Sequence, residues 1–222
     1  PEIIFIFATN QLSSTMITKR MLYFVLIILG ISLTAETNAQ SRLYPPGRDH
    51  SKGTLSRYNA RVDSLLLNDR RFDSFAFTIL PSFSGEQGCY YVKENSELVL
   101  KAAKKSIWYK KTAEVEEYRC PCPHSIASLL KELFEAAVFS SSYLATPYGL
   151  DGVTYEILIN GGYYTARCWS PRKDTNCHKL VEILEGLTSA VKGGDQTAIE
   201  KLAPKIKELT EAFKKLYPED VK

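Results

Sequence analysis

Neither sign of charge dominates this sequence. Its 28 Lys and Arg stand against 25 Asp and Glu, a net charge of +3, and the two signs are matched along most of the chain. A nucleic-acid surface needs a clustered basic stripe, so nucleic acid is not an expected partner. Histidine is scarce, at three residues. The motifs GxSxG and HExxH, the P-loop and the dinucleotide fingerprint are all missing. Scattered carboxylates alone give a hydrolase no motif. No segment repeats at a period of roughly 20 to 50 residues, which argues against a solenoid or propeller.

What is present is an ordinary globular composition, 45% hydrophobic and 24% charged, neither disordered nor fibrous. The N-terminal part stands apart. "MITKR" from Met16 supplies a basic start with Lys19 and Arg20, and "MLYFVLIILGISL", Met21 to Leu33, is an apolar core. "TAETNAQ" follows, with small residues Thr37 and Ala39 before the expected cut at Gln40. This is the layout of a secretory signal peptide over residues 16–39. As a helix the apolar core spans roughly 20 Å, short of the roughly 30 Å of a bilayer interior. The membrane is therefore expected to matter only through the cleaved leader. No cysteine sits near the cut, so a lipid-modified N-terminal Cys is excluded. Residues 1–15 read as upstream sequence outside the domain. Lys19 and Arg20 offset Glu2 and Glu36, so the exported part keeps a charge of +3. The destination is periplasmic or extracellular.

Residues 40–53 are polar and broken by Pro and Gly, which predicts a flexible leader. Residues 54–222 then read as one domain. Leu55, Tyr58, Val62, Leu65 and Leu66 recur at helical spacing. Phe75, Phe77 and Ile79 share one face of a strand that Pro81 ends. "GCYYVK" from Gly88 is a second strand. Residues 97–111 carry both helix and strand signals and lean to strand. "AEVEEYRCPC" is extended near its end, because Pro121 and Pro123 disfavour helix at Cys120 and Cys122. A helix follows, with a stripe of Ile126, Leu129, Leu130, Leu133, Phe134, Ala137 and Val138 and with Ser125 as its cap.

"VTYEILINGGYYTARCW" predicts a hairpin, because Asn160-Gly161 is the pair a type I′ turn requires. A two-residue loop would set Ile157 opposite Tyr164 and Tyr155 opposite Ala166, with Glu156 and Arg167 as diagonal surface neighbours. At the C-terminus, Leu180, Leu184, Leu187 and Val191 form a helical seam stopped by Gly193-Gly194. A second seam runs from Ile199 to Leu216, kinked or restarted at Pro204. The expected fold is α+β: an antiparallel sheet with packed helices and a C-terminal antiparallel helical pair. Fewer than three heptads in that seam favour packing within one monomer over a dimerising coiled coil.

Five cysteines cannot all pair within one chain. Export places them where disulfides persist. Cys168 ends a strand and Cys177 opens a helix, so a bond there closes a short loop worth about 2 to 3 kcal/mol. Cys89 would then pair with Cys120 or Cys122, leaving one thiol. A Cys120–Cys122 bond is strained, because extended residues two apart sit roughly 6.6 Å from each other, near the limit for a disulfide. Fully reduced, buried cysteines are the other arrangement. The same CPCPH segment has a sharper reading, in which Cys120, Cys122 and His124 hold Zn or Cu(I), or the two thiols form a redox pair. A Cys122–His178 nucleophilic pair is a further alternative. His50 falls in the leader.

Tyr90, Tyr91, Trp108, Tyr109, Tyr163, Tyr164 and Trp169 all fall on predicted strands. Clustered on an exposed sheet face, such rings bind sugars, peptides or proteins. Tyr163, Arg167 and Trp169 project to the more polar side of their hairpin and are the expected binding surface. These residues point to an exported, non-enzymatic binding domain that needs no cofactor and takes a protein, peptide or carbohydrate ligand. The alternative is a thiol- or metal-dependent protein built on CPCPH.

Overall fold

Phe75, Phe77 and Ile79 do share one strand face, and that strand is the centre of the sheet. A computed structural model describes residues 43–45, 54–68, 72, 74–108, 113–142 and 151–217. The upstream segment, the signal peptide, most of the leader with His50, and Tyr109 lie outside the described residues. The strands are β1 (Phe75–Pro81), β2 (Gln87–Val92), β3 (Glu97–Ala103), β4 (Val115–Pro121), β5 (Val153–Ile159) and β6 (Tyr164–Trp169). They form one sheet in the order β4-β3-β2-β1-β5-β6. Every neighbouring pair is antiparallel. The fold is α+β, as the hydrophobic pattern implies.

The helices are α1 (Thr54–Leu66), α2 (His124–Phe139), α3 (Asn176–Gly193), α4 (Gln196–Glu200) and α5 (Ala203–Lys214). Four of the five lie in or beside the larger core. There Phe75, Phe77, Leu98 and Leu100 of the sheet meet Leu130 and Phe134 of α2, Leu184 and Leu187 of α3, and Ile206 and Phe213 of α5. Gly194 closes α3 in the left-handed conformation, where glycine carries no Cβ penalty. Pro204 sits in the first turn of α5, so it restarts the second seam rather than running through it. Alone among the helices, α1 packs on the other sheet face, where Val62 and Leu66 meet Ala103 and Ile107. All the described residues belong to a single compact unit that begins at Ala39. Among them, no helix is long and apolar enough to cross a membrane.

Three local expectations need correction, and one open reading is resolved. Pro123, not Ser125, holds the N-cap position of α2, and no side chain caps that end. The ambiguous residues resolve as strand through Ala103 and as turn at Ile107–Trp108. The hairpin register is shifted by two residues, with Ile157 opposite Ala166 and Tyr155 opposite Cys168. Asn160 and Gly161 take the positive φ that a type I′ turn needs, but Gly162 follows at +83° and Tyr163 completes a four-residue connection. Finally, part of the leader is docked. Tyr44 donates its N–H to the Arg167 carbonyl (2.9 Å) and accepts from the Arg167 N–H (2.8 Å) on the edge of β6. Leu43 is buried in the main core.

Candidate functional site

Strand alternation sends Leu80, Thr154, Glu156 and Arg167 to the face that α1 covers only in part. The uncovered end of that face is a cleft of about 550 Å³. Its walls come from α1, the β1–β2 loop, the turn after β3 and the β5–β6 pair.

Glu86 pins these pieces together. It is fully buried. Its Oε1 accepts from the Ser106 hydroxyl (2.9 Å) and the Tyr58 hydroxyl (3.1 Å), and its Oε2 accepts from the Ile107 N–H (2.7 Å). One carboxyl group thus ties α1 to the turn that carries Trp108. Burial, reinforced by the neighbouring Glu86, pushes the Tyr58 hydroxyl far above its ordinary pKa, so Tyr58 remains a donor. The Tyr58 and Trp108 rings meet edge-to-face at 4.9 Å, a favoured aromatic geometry. Trp108 is 44% exposed and Phe83, in the β1–β2 loop, is 72% exposed. Both line the cleft.

The floor carries a fixed charge pair. Arg167 donates from Nε (3.1 Å) and Nη2 (3.0 Å) to one oxygen of Glu156. The two are directly opposite across the strands, not diagonal, and Glu156 is only 5% exposed. They form a part-buried pair rather than a surface one, so its partner holds Arg167 in place and balances its charge. At the rim, the Gly152 N–H donates to the Ser82 hydroxyl (3.1 Å) and the Ser82 N–H donates to the Gly152 carbonyl (3.0 Å). That exchange fixes the loop next to Asp151, another cleft residue.

The three surface residues expected from the sequence do not form one surface. Arg167 lines the cleft. Trp169 lies on the same sheet face, partly buried, with its indole against Gly152. Tyr163 is 89% exposed but sits in the hairpin turn, at the far end of the strands from Asp151. Tyr90 and Tyr91 are buried. Sequence reasoning missed Tyr58, Phe83 and Glu86. Tyr58 was read only as part of a helical stripe, and nothing local to Glu86 shows that its three donors converge on it.

The CPCPH segment is a strand-to-helix corner. Cys120 and Cys122 are buried, whereas His124 is exposed at the first turn of α2. Among the described residues, no group of three metal-binding side chains is brought together, so the Cys120, Cys122, His124 clamp has no geometry behind it. All five cysteines are buried thiols. Burial pushes Cys122 and Cys177 up to about 12 and raises Cys89, Cys120 and Cys168 as well. A thiol pKa raised by burial works against the thiolate that a Cys122–His178 pair would need. The strand order also speaks against a Cys89–Cys120 bridge. β3 lies between their strands, and two inter-strand steps of about 4.8 Å exceed the reach of about 7 Å for a disulfide. Cys168 and Cys177, by contrast, share the core, and the Cys177 sulfur is near enough to raise the Cys168 thiol. No protein-family model matches the sequence, and a search of curated proteins returns no match.

Proposed function

We propose that the chain is an exported, non-enzymatic binding domain and that it takes a carbohydrate in the cleft beside α1. One observation carries the reading: exposed Phe83 and Trp108 line a cleft with polar residues, among which Arg167 is held by Glu156 beneath it and Glu86 by three donors. Aromatic faces stack on the C–H faces of a sugar ring, while Asn59, Asp151 and Thr154 supply donors and acceptors for hydroxyls. The Glu86 and Glu156 pins hold the walls before any ligand arrives, and a preformed site loses less entropy on binding. Export is supported by the leader's basic start, apolar core and small-residue cut. In an oxidising compartment the neighbouring Cys168 and Cys177 are then expected to bridge.

Both tryptophans lie on this face, so their emission reports on the cleft. Soluble oligosaccharides and short peptides titrated into the protein discriminate the ligand class. The expected outcome is a saturable change with at least one oligosaccharide and none with peptides. Trp108→Ala should weaken that binding at least about tenfold, or about 1.4 kcal/mol, while leaving the melting temperature within a few degrees. Undiminished affinity in Trp108→Ala, or saturation by peptides alone, refutes the reading.

A further inference from the structure

We propose that the outer edge of β4 is a docking surface for a second copy of this chain, joined antiparallel, β4 to β4, about a two-fold axis at Tyr118. β4 lies at the opposite end of the sheet order from β6, and the surface does not depend on a ligand in the cleft.

A strand at the rim of a sheet offers its unpaired N–H and C=O groups to any other strand. The two rims here differ. On β6, Tyr44 exchanges two backbone bonds with Arg167. On β4, no described segment pairs with the outward side. The ladder shows which groups face out. The Cys122 N–H donates to the Ser96 carbonyl (2.8 Å), and the Lys104 N–H donates to the Glu114 carbonyl (3.0 Å). Even-numbered residues therefore bond to β3, and by alternation Val115, Glu117 and Arg119 turn their N–H and C=O groups outward. Pro121 belongs to the same outward set, where its missing N–H costs the ladder nothing. The edge is seven residues long, and its register with β3 runs without a bulge from Val115 to Pro121. Its one guard is charge, and the charges decide what docks.

A two-fold pairing centred on Glu117 sets Glu117 opposite itself. Centred on Arg119, it sets Arg119 opposite itself. Like charges directly opposite are destabilising. Centred on Tyr118, the pairing sets Glu117 opposite Arg119 of the copy and Arg119 opposite Glu117 of the copy. Each of those pairs exchanges both backbone hydrogen bonds, and the Val115 N–H meets the Pro121 carbonyl of the copy. The two Tyr118 residues face each other on the axis, an aromatic cross-strand pair. Within the chain Arg119 already bonds Glu117 (2.6 Å) and Glu97, all on one sheet face. Across the axis the two sets extend one network of alternating sign. Backbone bonds supply the attraction and charge fixes the register. An edge complementary to itself suits a second copy above an arbitrary strand.

Sedimentation velocity from about 1 to about 500 μM, a span matching dissociation constants in the micromolar range, tests the dimer. The wild-type chain should pass from monomer to dimer as concentration rises. Glu117→Arg and Arg119→Glu each place like charge across both pairs, and each alone should raise the dissociation constant at least about tenfold. Both positions are exposed, and melting temperatures of dilute samples check that the variants fold. An equimolar mixture of the two variants restores opposite charge at both pairs and should dimerise about as tightly as wild type. Hydrogen exchange supplies a second readout: the Glu117 and Arg119 amides should slow as concentration rises, whereas the Glu116 and Tyr118 amides are slow throughout. A wild-type chain that stays monomeric leaves the edge to another strand and overturns the proposal. So does a dimer that both variants form with wild-type affinity, or a mixture no tighter than its components.

Discussion

Two cysteines separated by one proline end up in different surroundings, and the physics of each is local. Cys120 points from β4 into the core opposite Leu98. Cys122 lies one residue past the strand, where the chain turns under α2, and Pro123 then starts the helix. Burial holds both as protonated thiols. The sequence rule that Pro disfavours helix in the residue before it was enough to read this corner as extended. It was not enough to see that β3 separates Cys89 from Cys120, because strand order is a long-range property. Only the Cys168–Cys177 neighbourhood follows from short spacing, a strand end and a helix start joined by one loop. Protein secreted into an oxidising compartment and mapped without reductant is thus expected to yield a linked peptide pair of Cys168 with Cys177, and any second pair is expected to join Cys89 to Cys122, whose sulfur is near enough to raise the Cys89 thiol. Cys120 should label with iodoacetamide only after denaturation. A linked pair containing Cys89 and Cys120 would contradict the strand order.

At the scale of elements, the placement of α1 decides whether there is a cleft at all. Its apolar spacing was legible as a helix, but its docking site was not, because the signal is the lack of a side chain. Gly88 sits beneath the last turn of α1, where an added Cβ would stand 2.8 Å from the Leu66 Cβ and 2.9 Å from the Leu66 carbonyl oxygen. Backbone cannot yield as a flexible side chain does, so α1 must lift. Gly88→Ala should cost about 1 to 3 kcal/mol as an overpacking change, and Gly88→Val more. The readouts are the urea midpoint and Trp108 emission, which shifts red as the Tyr58 contact is lost. An unchanged midpoint in Gly88→Val would mean that α1 is not seated on β2. The hairpin shows the complementary limit. Period-two alternation assigned its faces correctly, since a shift of two residues preserves them. The register failed because one more glycine with positive φ lengthened the turn.

On the scale of the whole molecule, the N-terminal segment closes the sheet. Its composition read as a flexible leader, since Pro, Gly and charge surround a single leucine. That leucine is buried in the core, and the residue after it exchanges two backbone hydrogen bonds with β6, covering part of an otherwise open edge. Arg167 is thereby held twice, through its backbone by Tyr44 and through its side chain by Glu156, so the docked segment also steadies the cleft floor. The expected cut before Gln40 leaves Leu43 and Tyr44 on the exported chain. A chain starting at Ser41 should therefore match one starting at Gln40 in thermal unfolding. A chain starting at Pro46 loses the burial of Leu43, about 2 kcal/mol, and two backbone bonds worth about 0.5 kcal/mol each at the low end. The resulting loss of about 3 kcal/mol corresponds to a melting temperature lower by roughly 6–12 °C for a domain of this size. Calorimetry on the three chains checks this directly. Equal melting temperatures for the Ser41 and Pro46 starts would show that the segment contributes nothing to the fold, and Arg167 would then be positioned by Glu156 alone.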